Sequence, residues 1–463
     1  MSTIKPKKIW IIYGIVFAVY LCFAIFAGLH HEPWADEAQS WLIARDNHSL
    51  IDICRAVKLE GTLPTWHLIN KAFQLAGLDY NYLFVIPLLF SAIGVILLFF
   101  TDAPLTVKVA LPFTFFVVYQ NAVVARQYAL VFPAMMLIVI LYKKRFEVPV
   151  RYHLVLIFLA LTRSYGVIVT CSFMLWDFIC MVRKKFKDPV FKKTYIPFFT
   201  TGAVIVVMSI LSLPPKDCSM KLTNIQFTKN VTNTLLFTLD DELLMWIFLI
   251  VVTGLFIYYF RHRLIQTLVI FSPLVIFMNV LYHRPWHMTY LFFLLVSLMI
   301  IFKDDFKKAP KHIEEIANLL TKGIVGIFIA LHVFSGFYSI YFDYQYAYSG
   351  AKEAAEFLKP YVESGATLNR VGFYSMAVSP YYDHSIFAND TWGVTYYVWS
   401  YNAPNGELSE TWPDVLVTNC YYEQFDNNAD YEVYRFDSNM TFKMDTVEAV
   451  PCIIYAKKGI EQG

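Results

Sequence analysis

The stretch IWIIYGIVFAVYLCFAIFAGLHHEPWADE, residues 9–37, decides the fold of this chain. Ile9 to Leu29 carries no charged side chain and is long enough to cross the roughly 30 Å hydrocarbon core of a bilayer as a helix. Lys5, Lys7 and Lys8 precede it, which invites a signal-peptide reading. The apolar run is longer than the roughly 7–15 residues of a signal h-region, and no small-x-small cleavage site follows. The segment therefore reads as a retained first transmembrane helix. Directly after it come His30, His31, Glu32, Trp34, Asp36 and Glu37, so the first span delivers a cluster of ionisable groups to the membrane surface.

The rest of the chain supports that start. Of the 463 residues 57% are hydrophobic, 18% aromatic and only 16% charged, more apolar surface than one soluble core can bury. Further spans fit near residues 82–100, 104–120, 123–142, 152–163, 165–182, 195–213, 241–260, 264–282, 287–302 and 321–342, about eleven in all. Alternate loops read KKRFEVPVR (143–151), RKKFKDPVFKK (183–193), RHR (261–263) and KDDFKKAPK (303–311), while loops 30–81, 214–240 and 283–286 are poorer in Lys and Arg for their length. The positive-inside rule then puts the N-terminus in the cytoplasm and the first large loop, 30–81, outside. The expected architecture is an α-helical polytopic membrane domain over 1–342, followed by a small extracytoplasmic α/β domain over 343–463. In the latter, YSGAKEAAEFLKPYVE has helical spacing and RVGFYSMAV, DVLVTNC, YEVYRF and VPCIIYAKK read as strands. Its acidic balance argues against a nucleic-acid partner. Seven cysteines show no CxxC pair; a Cys420–Cys452 disulfide and free thiols are both compatible with the spacing.

With sides assigned, the polar groups sort unevenly. Asp177 and His332 are the main ionisable residues inside spans, whereas Asp36, Glu37, His67, Arg126, Arg163, His283, Arg284 and His287 all fall at outer span ends. Burying charge in a membrane is costly, so such residues usually mark function. Asp36 and Glu37 lie in the first turn of the amphipathic run ADEAQSWLIARD, where the helix dipole favours carboxylates; the plainer reading is a helix start and nothing more. In LEGTLPTWHLINKAFQ (59–74), His67 suits a phosphate, a sugar hydroxyl or a metal, or simply an interface beside Trp66. In NAVVARQYALVFP (121–133), Arg126 with Tyr128 is an anion clamp or a snorkelling cation. LTRSYGVIV (161–169) interrupts a long apolar run at Arg163 and Tyr165, and irregular backbone at membrane depth is tolerated only when buried in protein or lining a cavity. The tight turn YHRPWHMTYLFF (282–293) gathers His283, Arg284, His287 and Tyr290. No spacing among the His, Asp and Glu residues matches a closed metal site. These residues fix no cofactor, and a divalent cation held by carboxylates, water and a substrate phosphate is compatible with their ligand types.

In order and sidedness these motifs resemble the GT-C glycosyltransferases, in particular the bacterial branch related to protein O-mannosyltransferases and the lipid A aminoarabinose transferase. Asp36-Glu37 follows the first span as the family's Asp-Glu pair does; EGTLPTWHLI is similar to its acidic-Gly-His-Pro-Pro-aromatic loop, ARQYAL to its Arg-x-Tyr-Ala-Leu segment, LTRSYGVIV to its Lys/Arg-Tyr-Gly-Leu segment and HRPWHMTYLFFLL to its late Arg-Tyr-Leu segment. The likeness covers about the first 300 residues. It departs where relatives carry His before a double proline: here the residues are Thr62-Leu63-Pro64, which leaves that role vacant or moved to His67. The resemblance implies transfer of a sugar from a polyprenyl-phosphate carrier to an extracytoplasmic hydroxyl of a cell-envelope glycan, lipid or protein, with inversion, in a bacterial plasma membrane. It makes Asp36 the general base, with Glu37 orienting it or a cation. It makes Arg126, Arg163 and Arg284, with His283 or His287, the holders of the lipid phosphate. The competing classes are a transporter or flippase of lipid-linked saccharides, a lipid-linked polymer ligase or polymerase, and a non-catalytic membrane scaffold.

Overall fold

A computed structural model describes residues 6–184, 189–219, 242–280, 285–304, 311–404, 412–439 and 450–460. The chain is mostly helical. In chain order the α-helices are α1 (Pro6–His30), α2 (Ala35–Asp46), α3 (Leu50–Lys58), α4 (Thr65–Leu75), α5 (Val85–Phe100), α6 (Leu105–Ala110), α7 (Val131–Tyr142), α8 (Pro149–Ala160) and α9 (Ser164–Arg183). They continue as α10 (Pro189–Leu211), α11 (Glu242–Phe260), α12 (Leu264–Val280), α13 (Met288–Ile301), α14 (Lys311–Gln345), α15 (Ala351–Glu363) and the single turn α16 (Glu423–Asp426). Five stretches are long and apolar enough to cross a membrane: Lys7–His30, Tyr80–Phe100, Ser164–Arg183, Phe191–Leu211 and Lys322–Gln345. The shorter apolar helices Gln127–Tyr142, Pro149–Ala160, Leu264–Val280 and Met288–Ile301 contribute buried side chains to the same large core.

Two of the expected spans are not continuous helices. Over 104–120, α6 gives way to a 3₁₀ turn at Leu111–Phe113 and then to a π turn at Phe115–Gln120. Pro112 has no N–H to donate to the preceding turn and its ring crowds it, so the α-helix ends there. Residues 121–126 are irregular and mostly buried, and regular structure resumes only at Gln127. The buried Ala125 peptide is rescued from the loop region 31–81: its N–H donates to Glu37 Oε1 at 2.5 Å, and its carbonyl accepts from Trp66 Nε1 at 3.1 Å.

The chain also breaks between α8 and α9, as LTRSYGVIV suggests. Arg163 is extended, with φ −173 and ψ 174, and α9 starts at the next residue. Gly166 lets the two helices meet, because a Cβ there would lie 2.1 Å from the Leu159 carbonyl oxygen and 2.6 Å from Thr162 Oγ1. Gly166→Ala is therefore expected to destabilise the protein by about 1–3 kcal/mol through overpacking, read as a lower melting temperature in detergent.

Basic and acidic loops gather at one end of this bundle. Lys143 Nζ lies 3.3 Å from Asp102 and 3.2 Å from Asp304, and Lys303 donates to the Asp102 carbonyl. Asp177, which stood out inside a span, pairs with Arg145 at 2.6 Å near that end. Helices α7, α9 and α13 start at the opposite end, where Tyr128, Arg163, Tyr165 and His287 lie.

The segment after α14 forms a four-stranded sheet of β1 (Leu368–Arg370), β2 (Val415–Thr418), β3 (Tyr431–Phe436) and β4 (Cys452–Lys457), in the order β1-β2-β4-β3. β1 and β2 are parallel; the other pairs are antiparallel. The inner strands VLVT and CIIYAK are apolar almost throughout because both faces are covered, whereas the edge strand YEVYRF is largely exposed. Expected as a strand, RVGFYSMAV leaves the sheet at Arg370 and becomes a 3₁₀ helix over Tyr374–Tyr381. Gly372 makes the turn with φ +92, and a Cβ there would sit 2.0 Å from Asn419 Oδ1. Cys420 and Cys452 are both free thiols, so the disulfide weighed from sequence is not formed.

This segment does not stand apart from the first loop. Ala38, Trp41 and Leu42 of α2, Ile53 of α3 and Trp66 of α4 share one core with Met376, Ala377, Tyr396 and Val398. Polar clasps close it: Arg45 Nη1 donates to the Tyr382 carbonyl at 2.7 Å, Thr395 N–H to Asp46 at 2.7 Å, and Tyr397 N–H to Gln39 Oε1 at 2.9 Å.

Candidate functional site

The site starts with the entry to α2. Trp34 occupies the N-cap, and Glu37, three residues on, reaches back to accept the Trp34 N–H at 3.1 Å, as in a capping box. Glu37 is buried. Its Oε2 also lies 3.2 Å from His31 Nε2, while His31 Nδ1 is 2.8 Å from Asp343 Oδ2. The Tyr119 hydroxyl donates to the same Asp343 oxygen at 2.7 Å. Burial opposes a charge on His31, but Glu37 and Asp343 outweigh it and push its pKa up to about 9.

Asp36, the neighbour of Glu37, is the accessible carboxylate of the pair, with 25% of its side chain exposed. Arg126 grips it twice: Nη2 lies 3.0 Å from Asp36 Oδ2, and Nη1 donates to the Asp36 carbonyl at 2.6 Å. The extended backbone at Arg126, φ −130 and ψ 159, belongs to the irregular segment that Glu37 and Trp66 stabilise through Ala125. Burial works against the guanidinium charge, and the Asp36 carboxylate opposite it compensates. Arg163 is close enough for its charge to oppose that of Arg126, and its Nη1 donates to the Tyr128 hydroxyl at 3.0 Å. A guanidinium paired with a part-exposed carboxylate, with a second guanidinium in electrostatic reach of the first, forms a setting in which an anionic group can be bound.

Behind them lies an aromatic cluster. The Tyr165 hydroxyl is 2.8 Å from His287 Nδ1, and the Tyr290 hydroxyl is 2.8 Å from Thr162 Oγ1. The His287 ring centre is 4.5 Å from that of Tyr165 and 5.9 Å from that of Tyr128. Trp34 meets Trp286 edge-on at 6.1 Å, linking the start of α2 to the late turn. Tyr128, Arg163, Tyr165, His287 and Tyr290, picked from separate motifs, thus come together. His283 and Arg284 lie outside the described residues.

His67 joins the site less directly. It is buried with Nε2 3.5 Å from Glu60 Oε2, and Glu60 Oε1 accepts from Gln39 Nε2 at 2.8 Å. Burial alone would raise the pKa of Glu60; His67, Gln39 and Arg126 outweigh it and lower it. Glu60, Tyr119, Gln39 and Asp343 received no role from sequence. Glu60 sat inside a quoted motif, and Asp343 was an acidic residue at the end of the last apolar run. Neither position carries a signal about its partner, since Asp343 meets His31 across 312 positions of sequence.

Among the described residues, no group of three or more His, Cys, Asp or Glu side chains is arranged to hold a metal ion. No protein-family model matches this chain, and neither does any curated protein or solved structure.

Proposed function

We propose that this chain is an integral-membrane glycosyltransferase of the GT-C kind, which moves a sugar from a polyprenyl-phosphate carrier to an acceptor hydroxyl outside the cytoplasm, with inversion. The observation that carries the reading is the part-exposed Asp36 carboxylate held 3.0 Å from Arg126, with Arg163 beside it, at one end of a bundle of apolar helices. In this reading about eleven spans, the shorter apolar helices among them, cross the bilayer, with the N-terminus inside and the C-terminal segment outside. The donor tail lies along the helices and its phosphate meets the guanidiniums. The acceptor oxygen attacks the anomeric carbon from the face opposite the phosphate. As the new C–O bond forms, the bond to the phosphate oxygen breaks, and the acceptor proton passes to Asp36. Arg126 and Arg163 take up the charge that grows on the departing polyprenyl phosphate. Glu37 acts by fixing the first turn of α2, and His67 acts through Glu60.

Purified protein incubated with a panel of polyprenyl-phosphate sugars and candidate envelope acceptors tests the reading. Release of free polyprenyl phosphate with glycosylated acceptor is expected. Movement of intact lipid-linked sugar across a vesicle bilayer without cleavage would favour the flippase instead.

A further inference from the structure

The bridge from Glu37 through His31 to Asp343 has a use beyond satisfying buried groups. It links the last residues of α14 to the first turn of α2, and Glu37 extends it to the peptide that precedes Arg126. We infer that His31 is a positioning residue: its ring, clamped between the Glu37 and Asp343 carboxylates, locks the start of α2 so that Asp36 and Arg126 stay opposed.

The geometry carries this. Both ring nitrogens are aimed at carboxylate oxygens, at 3.2 Å and 2.8 Å, and a neutral imidazole has only one N–H to give. Glu37 accepts two backbone N–H groups, from Trp34 and Ala125, which suits its ionised form. An imidazole held between two buried carboxyl groups engages both when it carries both of its protons, and His31 stands in that place. The ionisable groups around the ring are Glu37 from α2, Asp343 from α14, Tyr119 from the π turn, Tyr348 beyond α14, with its ring centre 4.5 Å away, and the adjacent Glu32. The clamp makes no contact with the part-exposed Asp36 carboxylate, so it sets the geometry of the site without touching substrate.

The sign of the pH dependence follows. Unfolded His31 loses its proton near its ordinary value of 6.5, whereas the folded protein keeps it to about 9. Stability from the clamp is complete below pH 6.5 and disappears as pH rises through about 9.

The test uses the full chain in detergent or nanodiscs. Native protein is expected to lose melting temperature between about pH 6.5 and 9, and His31→Gln to show little change over that window. Ala35 is buried at the start of α2, so an Ala35→Cys variant carries a thiol that reports on the clamp. That thiol is expected to react with a charged reagent at least tenfold faster when His31→Gln is added, at a pH and temperature where both proteins are folded. If His31→Gln does not fold, Asp343→Asn serves: it keeps the side-chain volume and is expected to move the loss of stability to lower pH. A kinetic arm rests on the transferase reading, and there kcat should fall while KM for the lipid donor holds. Absence of transfer in native protein counts against the transferase alone. A flat melting profile in native protein, or unchanged labelling of the Ala35→Cys variant on adding His31→Gln, overturns the clamp.

Discussion

Asp36→Asn is expected, on the transferase reading proposed above, to reduce sugar transfer by roughly 10²–10⁴-fold, the usual contribution of a positioned general base, while leaving the fold in place. The side chain is 25% exposed and makes no packing contribution that Asn would not reproduce in volume. The Arg126 contact to the residue-36 carbonyl at 2.6 Å does not depend on the carboxylate and survives the change. What is lost is one part-exposed ion pair whose Arg126 side is only 13% exposed, so the cost falls between the about 0–1 kcal/mol of exposed pairs and the about 3–5 kcal/mol of buried ones. Activity and stability should therefore separate. Release of polyprenyl phosphate at fixed donor concentration, measured beside thermal melting of the same preparation, reads both. Turnover within a few-fold of native would remove Asp36 from the role of base.

Its neighbour should behave in the opposite way. Glu37→Ala is expected to cost about 3–5 kcal/mol, the range for breaking a buried ion pair by removing one partner. The deletion leaves the Ala125 N–H, the Trp34 N–H and the His31 ring each short of an acceptor in the interior. The irregular segment 121–126 would lose the group that supports its buried peptide, and the approach of Arg126 to Asp36 would loosen with it. A drop in melting temperature with loss of folded yield is the expected result. A Glu37→Ala protein as stable as native, with only transfer affected, would instead make Glu37 part of the chemistry. The adjacent carboxylates are thus distinguished by burial: one is built into the fold and the other faces the site.

How much of this was legible beforehand varied with the range of the interaction involved. The interruption at Thr162–Gly166 was visible because Arg, Ser and Gly in a long apolar run are a local signal. The irregular stretch over 111–126 was read as the ends of two helices, because its apolar residues look the same in a span and in a buried coil; Pro112 was the one local hint. The convergence of Tyr128, Arg163, Tyr165, His287 and Tyr290 was expected from sidedness, since helix ends on one side of a membrane have few places to go. Their pairing was not: Tyr165 with His287 and Tyr290 with Thr162 depend on how the helices are rotated. His67 was read either as a substrate ligand or as an interface residue beside Trp66, and it packs against Glu60, a residue from its own loop, a pairing that the sequence did not signal.

By itself the sequence determined that this is a chain of apolar helices with its ionisable groups sorted to helix ends, because length, hydropathy and charge are properties of each segment alone. Only the tertiary structure decided which carboxylate of the Asp36-Glu37 pair is buried, that His31 meets Asp343, and that the C-terminal segment shares a core with the first loop. These depend on helix rotation and on contacts hundreds of residues apart, and neither leaves a periodic trace along the chain.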